Sequence, residues 1–192
     1  MEIQISNLCK VLTLYLKKIA SIRDFLTFDV ASKLVTTCIL SRVDYCNSLL
    51  LGISRDKLHR LQVIQNSAAK LITRKKRMAH SSPILYELHW LPIEIRINYK
   101  TAMLCYKCLN DEAPQYLQDL LTIYVPSRTL RSSSDRTKLV VPKYRYKTIG
   151  ERSFTVSGPK VWNSIPKNIR ESPTIETFKS KLKHFLFTET YF

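Results

Sequence analysis

Two cysteines three residues apart, Cys105 and Cys108, have the spacing of half a zinc site. A structural zinc takes four ligands, commonly from a second close pair, and no second pair follows. Both thiols fall in an apolar run beside Tyr106 and Leu109, where free cysteine behaves as a small buried apolar residue. Cys38 and Cys46 read the same way. The histidines at 59, 80, 89 and 184 are scattered, and no serine or cysteine sits in a Gly-x-Ser-x-Gly context. His89, beside Trp90, lacks an evident orienting acid and reads as a structural residue bonded to backbone. Asp111 and Glu112 form the adjacent acidic pair, but two-metal chemistry needs carboxylates converging on ions about 4 Å apart, and this pair falls at a helix end. With 3 glycines the chain also lacks a phosphate loop. The expectation is no catalytic residue, no metal and no cofactor.

The cations carry the functional signal. Lys and Arg number 31 against 15 Asp and Glu, a formal net charge of +16. Such a surplus favours a polyanion, and nucleic acid is the first partner to consider. Two stretches concentrate it. Arg74, Lys75, Lys76 and Arg77 are consecutive at the end of a helical pattern, expected to be solvated or to face phosphates. Residues 127–152 hold eight Lys or Arg and two acids, including Arg128 and Arg131. Within them Lys143, Arg145 and Lys147 alternate with Tyr144 and Tyr146. On a strand that alternation puts the rings on one face and the cations on the other. Cations could then pair with phosphates while rings stack on unpaired bases. The plainer alternative is that the tyrosines pack on the domain and the charges are solvated.

The elements that must position these residues are mostly helices. Residues 4–24 read as one. In 30–51, Val35, Cys38, Ile39, Val43, Cys46, Leu49 and Leu50 recur at three- and four-residue steps, the stripe of a long helix ended by Gly52. Ser54 caps the next, whose buried face is Leu58, Leu61, Ile64, Ala68, Leu71 and Ile72, so the pair forms an αα-hairpin. Ser82-Pro83 starts a short helix to about His89, and Pro92 another, striped by Ile95, Tyr99, Ala102, Met103, Tyr106 and Leu109 and ended by Asn110. Ala113-Pro114 opens a short one through Leu121. Past Pro126, Lys138–Val141 and Tyr144–Tyr146, with Pro142 between, suggest a hairpin or two short strands, and Phe154–Val156 another β-like piece. A short helix from Pro159 to Ile165 holds Trp162, and a final amphipathic helix after Ser172-Pro173-Thr174 aligns Ile175, Phe178, Leu182, Phe185 and Leu186. The fold class is therefore mainly α: a helical bundle with an αα-hairpin, then a small basic β-hairpin-like segment and a C-terminal amphipathic helix. The composition divides it into a helical domain, 1–125, and a basic segment, 126–192, packed on the first part.

Several blocks resemble a known family. Asp44-Tyr45-Cys46-Asn47-Ser48-Leu49-Leu50 is similar to a signature of jockey-like non-LTR retrotransposon reverse transcriptases. Leu61-Gln62, Gln65-Asn66, Ala68-Ala69 and Leu71-Ile72 resemble the helix that follows it. Leu88-His89-Trp90-Leu91-Pro92 with Arg96, then Arg128 with Leu130-Arg131-Ser132-Ser133, resemble further blocks in the same order. So do Phe154, Gly158-Pro159, Trp162-Asn163-Ser164 and Pro166, and Phe178 with Leu182 in a closing helix. The resemblance implies the thumb-adjacent, C-terminal region of such a polymerase. The family's Ala-Asp-Asp catalytic turn and its endonuclease have no counterpart here, so no catalytic residue carries over.

Together these readings lead to a non-catalytic module that holds RNA or DNA through phosphate contacts for a retroelement RNA-directed DNA polymerase. Met1 just before a partial helix suggests a truncated frame. The alternative is a structural or protein-interaction module that docks on the polymerase core at its thumb, or self-associates. Five cysteines without a secretory pattern favour a reducing compartment, the nucleus or cytoplasm. No run of about 18 apolar residues exists, so no membrane partner is expected.

Overall fold

The computed structural model describes residues 2–125, 137–146 and 150–192. Its contacts cluster into two units, Met1–Arg96 with Tyr191, and Ile97–Thr190 with Phe192. The division falls inside a helix, whereas the change in composition falls near residue 126. Both units are built mainly of helices.

In the first unit, α1 (Glu2–Ser21) buries Ile5, Cys9, Leu12 and Ile19, one stripe at helical spacing. It packs against α4 (Arg55–Thr73), whose inner face is Leu61, Ile64, Gln65, Ala68, Ala69 and Ile72. Between them lies a helical run that differs from the single long helix expected over 30–51. It comprises α2 (Phe28–Val35), one π turn (Thr36–Leu40) and α3 (Ser41–Asp44). Tyr45 is extended and Cys46 left-handed, so the helix ends there and a 3₁₀ turn (Asn47–Leu50) follows. Cys46 and Leu49 consequently leave the apolar stripe and are exposed.

That break has a cause in charge. Asp44 ends a helix, where a carboxylate opposes the dipole. Arg96, in α6 (Ile93–Leu109), answers it with a two-pronged ion pair, Nε to Oδ1 and Nη2 to Oδ2 at 2.6 Å. Both side chains are mostly buried, 17% and 22% exposed. Two glutamines of α4 hold the same neighbourhood. Gln65, fully buried, donates to the Leu91 carbonyl at 2.9 Å, and Gln62 Oε1 accepts from the Ile93 backbone N–H at 2.8 Å. The latter satisfies one of the donors a helix N-terminus leaves open.

Three helices end without glycine in the position that favours it. Arg74 after α4, His89 after α5 (Ser81–Glu87) and Asp111 after α6 have φ of 53°, 52° and 58°. In each, the next N–H bonds back five residues: Lys75 to Lys70, Trp90 to Leu85, Glu112 to Lys107. This is the Schellman closure, in which an L side chain bears the left-handed strain. α5 starts at Ser81 with His80 before it, so Pro83 lies in its first turn, not at its first position.

In the second unit, Tyr106 of α6, Trp162 of α8 (Phe154–Ser164) and Phe178 of α10 (Ile175–Tyr191) form the buried centre. Tyr106 stacks on Phe178 at 4.5 Å between centroids. The polar tips are satisfied as burial requires: Tyr106 donates to the Ser172 carbonyl, Trp162 Nε1 to that of Thr137. Gly158 is needed for closeness, since a Cβ there would stand 3.0 Å from the Phe154 ring and 3.2 Å from Cys105 Sγ. α7 (Gln115–Gln118) and α9 (Lys167–Arg170) are single turns. The C-terminal helix is present as expected, with Phe178 and Leu182 buried.

The β-hairpin-like expectation is corrected among the described residues. Leu139 makes an isolated antiparallel bridge with Ile123, not a ladder with 144–146. Its other edge is closed by Asn163, whose amide accepts from the Leu139 N–H and donates to its carbonyl. Pro142 adds no donor to extend pairing. Phe154–Val156, expected as β-like, begins α8, and Pro159 lies inside that helix. Short runs of β-branched residues are weak strand signals where tertiary packing decides.

Asp111→Gly should raise stability by about 1 kcal/mol, because it removes both left-handed strain and an anion at a helix C-terminus. A lower urea midpoint would contradict this account of the cap. Removing either Asp44 or Arg96 with alanine should cost about 2 kcal/mol, with the double variant costing much less than the sum. Additive losses in that cycle would show that the pair is not coupled.

Candidate nucleic-acid interface

The cationic site is built at the C-terminal end of α4. Lys70 and Arg74, four residues apart, point to one side of the helix end, and Lys70 Nζ donates to the Arg77 carbonyl at 2.8 Å. That bond folds the 74–77 segment back over the last turn. A cavity of about 500 Å³ results, lined by Arg23, Lys70, Arg74, Lys75 and Arg77 together with Ala20, Ser67 and Leu71. Among the described residues, no acidic side chain lines it.

The five cations do different work. Arg23, in the turn Arg23–Phe25 that follows α1, is only 7% exposed. It donates to the carbonyls of Leu71 (2.8 Å), Ile72 (2.6 Å) and Leu26 (2.7 Å). Leu71 and Ile72 are in the last turn of α4, whose carbonyls lack helical partners. Arg74 is exposed, yet its Nη2 donates towards the carbonyls of Arg23 and Asp24, both at 3.3 Å. Lys75, Lys76 and Arg77 are exposed. Among the described residues their side chains have no hydrogen-bond or ion-pair partner. They remain available to an anion.

A second cavity, about 410 Å³, shares Arg23, Arg74 and Lys75 and adds Thr27, Phe28 and Glu87 to its lining. Among the described residues, Glu87 is the one acidic residue in that lining. Sequence reasoning singled out the run 74–77 but missed Arg23, Lys70 and the aromatic neighbours. Lys70 carried a legible signal, standing one helical turn before Arg74. Arg23 carried none, because its role depends on a turn closing over a helix 48 residues later.

In the second unit the tyrosine–cation stretch is arranged otherwise than strand alternation implied. Tyr144 is half-buried and engaged: Lys160 Nζ lies 4.6 Å from its ring centroid and 3.1 Å from its hydroxyl, which donates to Glu151. Glu151 first, then Tyr144, holds the Lys160 ammonium above the usual lysine range. Tyr144 is thus a packing residue. Tyr146 is 61% exposed, and Arg145 lies over its ring at 5.5 Å, so ring and cation share a side. Lys143 is exposed. Arg128, Arg131 and Lys147 lie outside the described residues.

The other candidate chemistries settle into the scaffold. Cys105 and Cys108 are buried, and burial pushes the Cys105 thiol far up. Asp111 shapes the helix end and His89 closes α5. Among the described residues, no three His, Cys, Asp or Glu side chains gather where they could hold a metal ion. Among the described residues, no helix is long and apolar enough to cross a membrane. Compared with known proteins, the chain matches no family model, no curated protein and no solved structure.

Arg23→Met should destabilise the first unit by about 3 kcal/mol, since it orphans carbonyls that are buried. Arg23→Lys should recover less than half, because one ammonium cannot reproduce a three-carbonyl fork. Full recovery by lysine in thermal unfolding would mean that charge alone, not geometry, holds the turn.

Proposed function

We propose that the chain holds nucleic acid by its phosphates and carries out no chemistry on it. The observation behind this reading is the cavity at the end of α4, where Lys75 and Arg77 stand exposed beside Lys70 and Arg74 without a lining carboxylate among the described residues, with exposed Lys76 between them in the chain. Two of the cations that line it, Arg23 and Arg74, are tied to backbone carbonyls, so the positive edge is held in place rather than floating. Placing cations rigidly where phosphates arrive is how a protein fixes a strand without reading its sequence. The resemblance to the C-terminal region of jockey-like reverse transcriptases supports the same reading. Such a module would grip template or primer for a retroelement polymerase whose catalytic aspartates lie elsewhere. Exposed Lys143, Arg145 and Tyr146 extend the set of candidate contacts within the second unit.

The test is a titration with nucleic acid at several salt concentrations. Affinity should fall steeply with salt, and Lys75→Gln, Lys76→Gln and Arg77→Gln combined should reduce the log–log slope by about 2 to 3. The loss should be equal across base sequences. Binding that ignores salt, or primer extension by the purified chain with magnesium, would overturn the proposal.

A further inference from the structure

The basic cavity has aromatic neighbours that a phosphate grip does not need. Phe25 is 88% exposed and Phe28 51% exposed. Neither ring has a polar tip to justify its contact with water. Both belong to the segment that the two arginines pin to the end of α4. The Arg74 guanidinium reaches the carbonyls of Arg23, Asp24 and Leu26, which flank Phe25 on both sides. Phe28 lines the second cavity together with Arg74 and Lys75. Cations and exposed rings therefore sit on one short, anchored stretch of surface.

We infer that this surface binds single-stranded nucleic acid, with phosphates on Lys75, Lys76 and Arg77 and unpaired bases on Phe25 and Phe28. The inference rests on the phosphate-holding reading and adds the strandedness of the ligand. A basic groove flanked by stacking rings is the arrangement that suits a single strand of any sequence, since every base has a π-face. In a duplex those faces are already stacked on one another, and a side chain reaches them only by prying the pairs apart. The division of charge agrees. The cavity whose charged lining residues, among those described, are all cations suits phosphates, whereas the one beside Phe28 also holds Glu87, which repels a phosphate but not a base. A second copy of this chain is a poorer occupant. It would bring a +16 body with the same cations against those cations, a like-charge contact.

The experiment uses the full chain and fluorescently labelled oligonucleotides of equal length: unstructured single-stranded RNA, the same sequence as DNA, and the matching duplex, all over the same series of salt concentrations. Phe25→Ala with Phe28→Ala should weaken single-strand binding about tenfold or more and leave duplex binding unchanged. Phe25→Trp with Phe28→Trp should keep single-strand affinity and gain fluorescence quenching on binding. Because both rings are exposed, unchanged thermal unfolding is expected for every variant. If the alanine pair binds single strands as tightly as the parent, while the Lys75, Lys76 and Arg77 variant still loses affinity with a smaller salt slope, stacking is wrong and phosphate holding survives. If no oligonucleotide binds in a salt-dependent way, both fail together. If light scattering shows that the alanine pair turns a dimer into a monomer with nucleic-acid affinity unchanged, the rings cover a second copy, and the inference is overturned.

Discussion

One buried guanidinium, that of Arg23, sets the geometry on which the positive surface depends. A helix ends with carbonyls that have no helical donor, and in α4 Leu71 and Ile72 receive theirs from a residue 48 or 49 positions earlier. The same side chain binds the Leu26 carbonyl, so it ties the turn between α1 and α2 to the last turn of α4. Arg74, left-handed at the cap, returns the contact from the other side. A lysine could supply the charge but not three directed bonds. Because these two arginines are committed to backbone, the exposed residues on either side are presented in a fixed relation. Lys75, Lys76 and Arg77 on one segment and Phe25 and Phe28 on the other depend on this tie.

Several residues of the sequence blocks singled out above are, in this structure, engaged with the chain itself, although Tyr45, Cys46 and Leu49 of the first block are exposed. Asp44 and Arg96 pair with each other across 52 positions. Gln62 and Gln65 hold the backbone of Leu91 and Ile93. Trp162, Asn163 and Gly158 close the second unit on Thr137, Leu139 and Cys105. Each is a buried or half-buried polar group, or a close approach, where a substitute would leave a partner unsatisfied or clash. Residues held in this way serve the scaffold. A surface that holds phosphates needs only cations in roughly the right places, and leaves a fainter imprint on residue order.

The same distinction explains which features were legible beforehand. Helical periodicity in α1, α4, α6 and α10 reflects burial of one stripe, a local pattern that tertiary contacts reinforce. The C-terminal limit of α4 was equally plain from its run of cations. What failed were features decided at a distance. The helix expected to run to residue 51 stops at Asp44, beside a carboxylate drawn to Arg96. Lys138–Val141 and Tyr144–Tyr146 carry β-forming residues, yet Asn163 occupies the backbone edge of Leu139 on which the first would have paired with the second. Phe154–Val156 joins α8 because its ring packs over Gly158. Tyr144 looked equivalent to Tyr146, but Lys160, sixteen residues on, claims one ring and leaves the other.

Surplus charge also has an energetic side. Three adjacent cations without partners among the described residues raise the free energy of the unliganded chain, and the α4 dipole offsets only a part within one turn of the helix end. A bound polyanion removes that repulsion, so its affinity contains a contribution from relieved self-repulsion as well as from direct attraction. Both shrink as salt screens them over about 8 to 10 Å. Ring stacking does not, because it depends on apolar contact rather than on field. A surface that combines the two therefore grips firmly at low salt through charge, and at higher salt keeps a residue of affinity that only an unpaired base can use. Single-strand preference would accordingly widen as salt rises, even as total affinity falls.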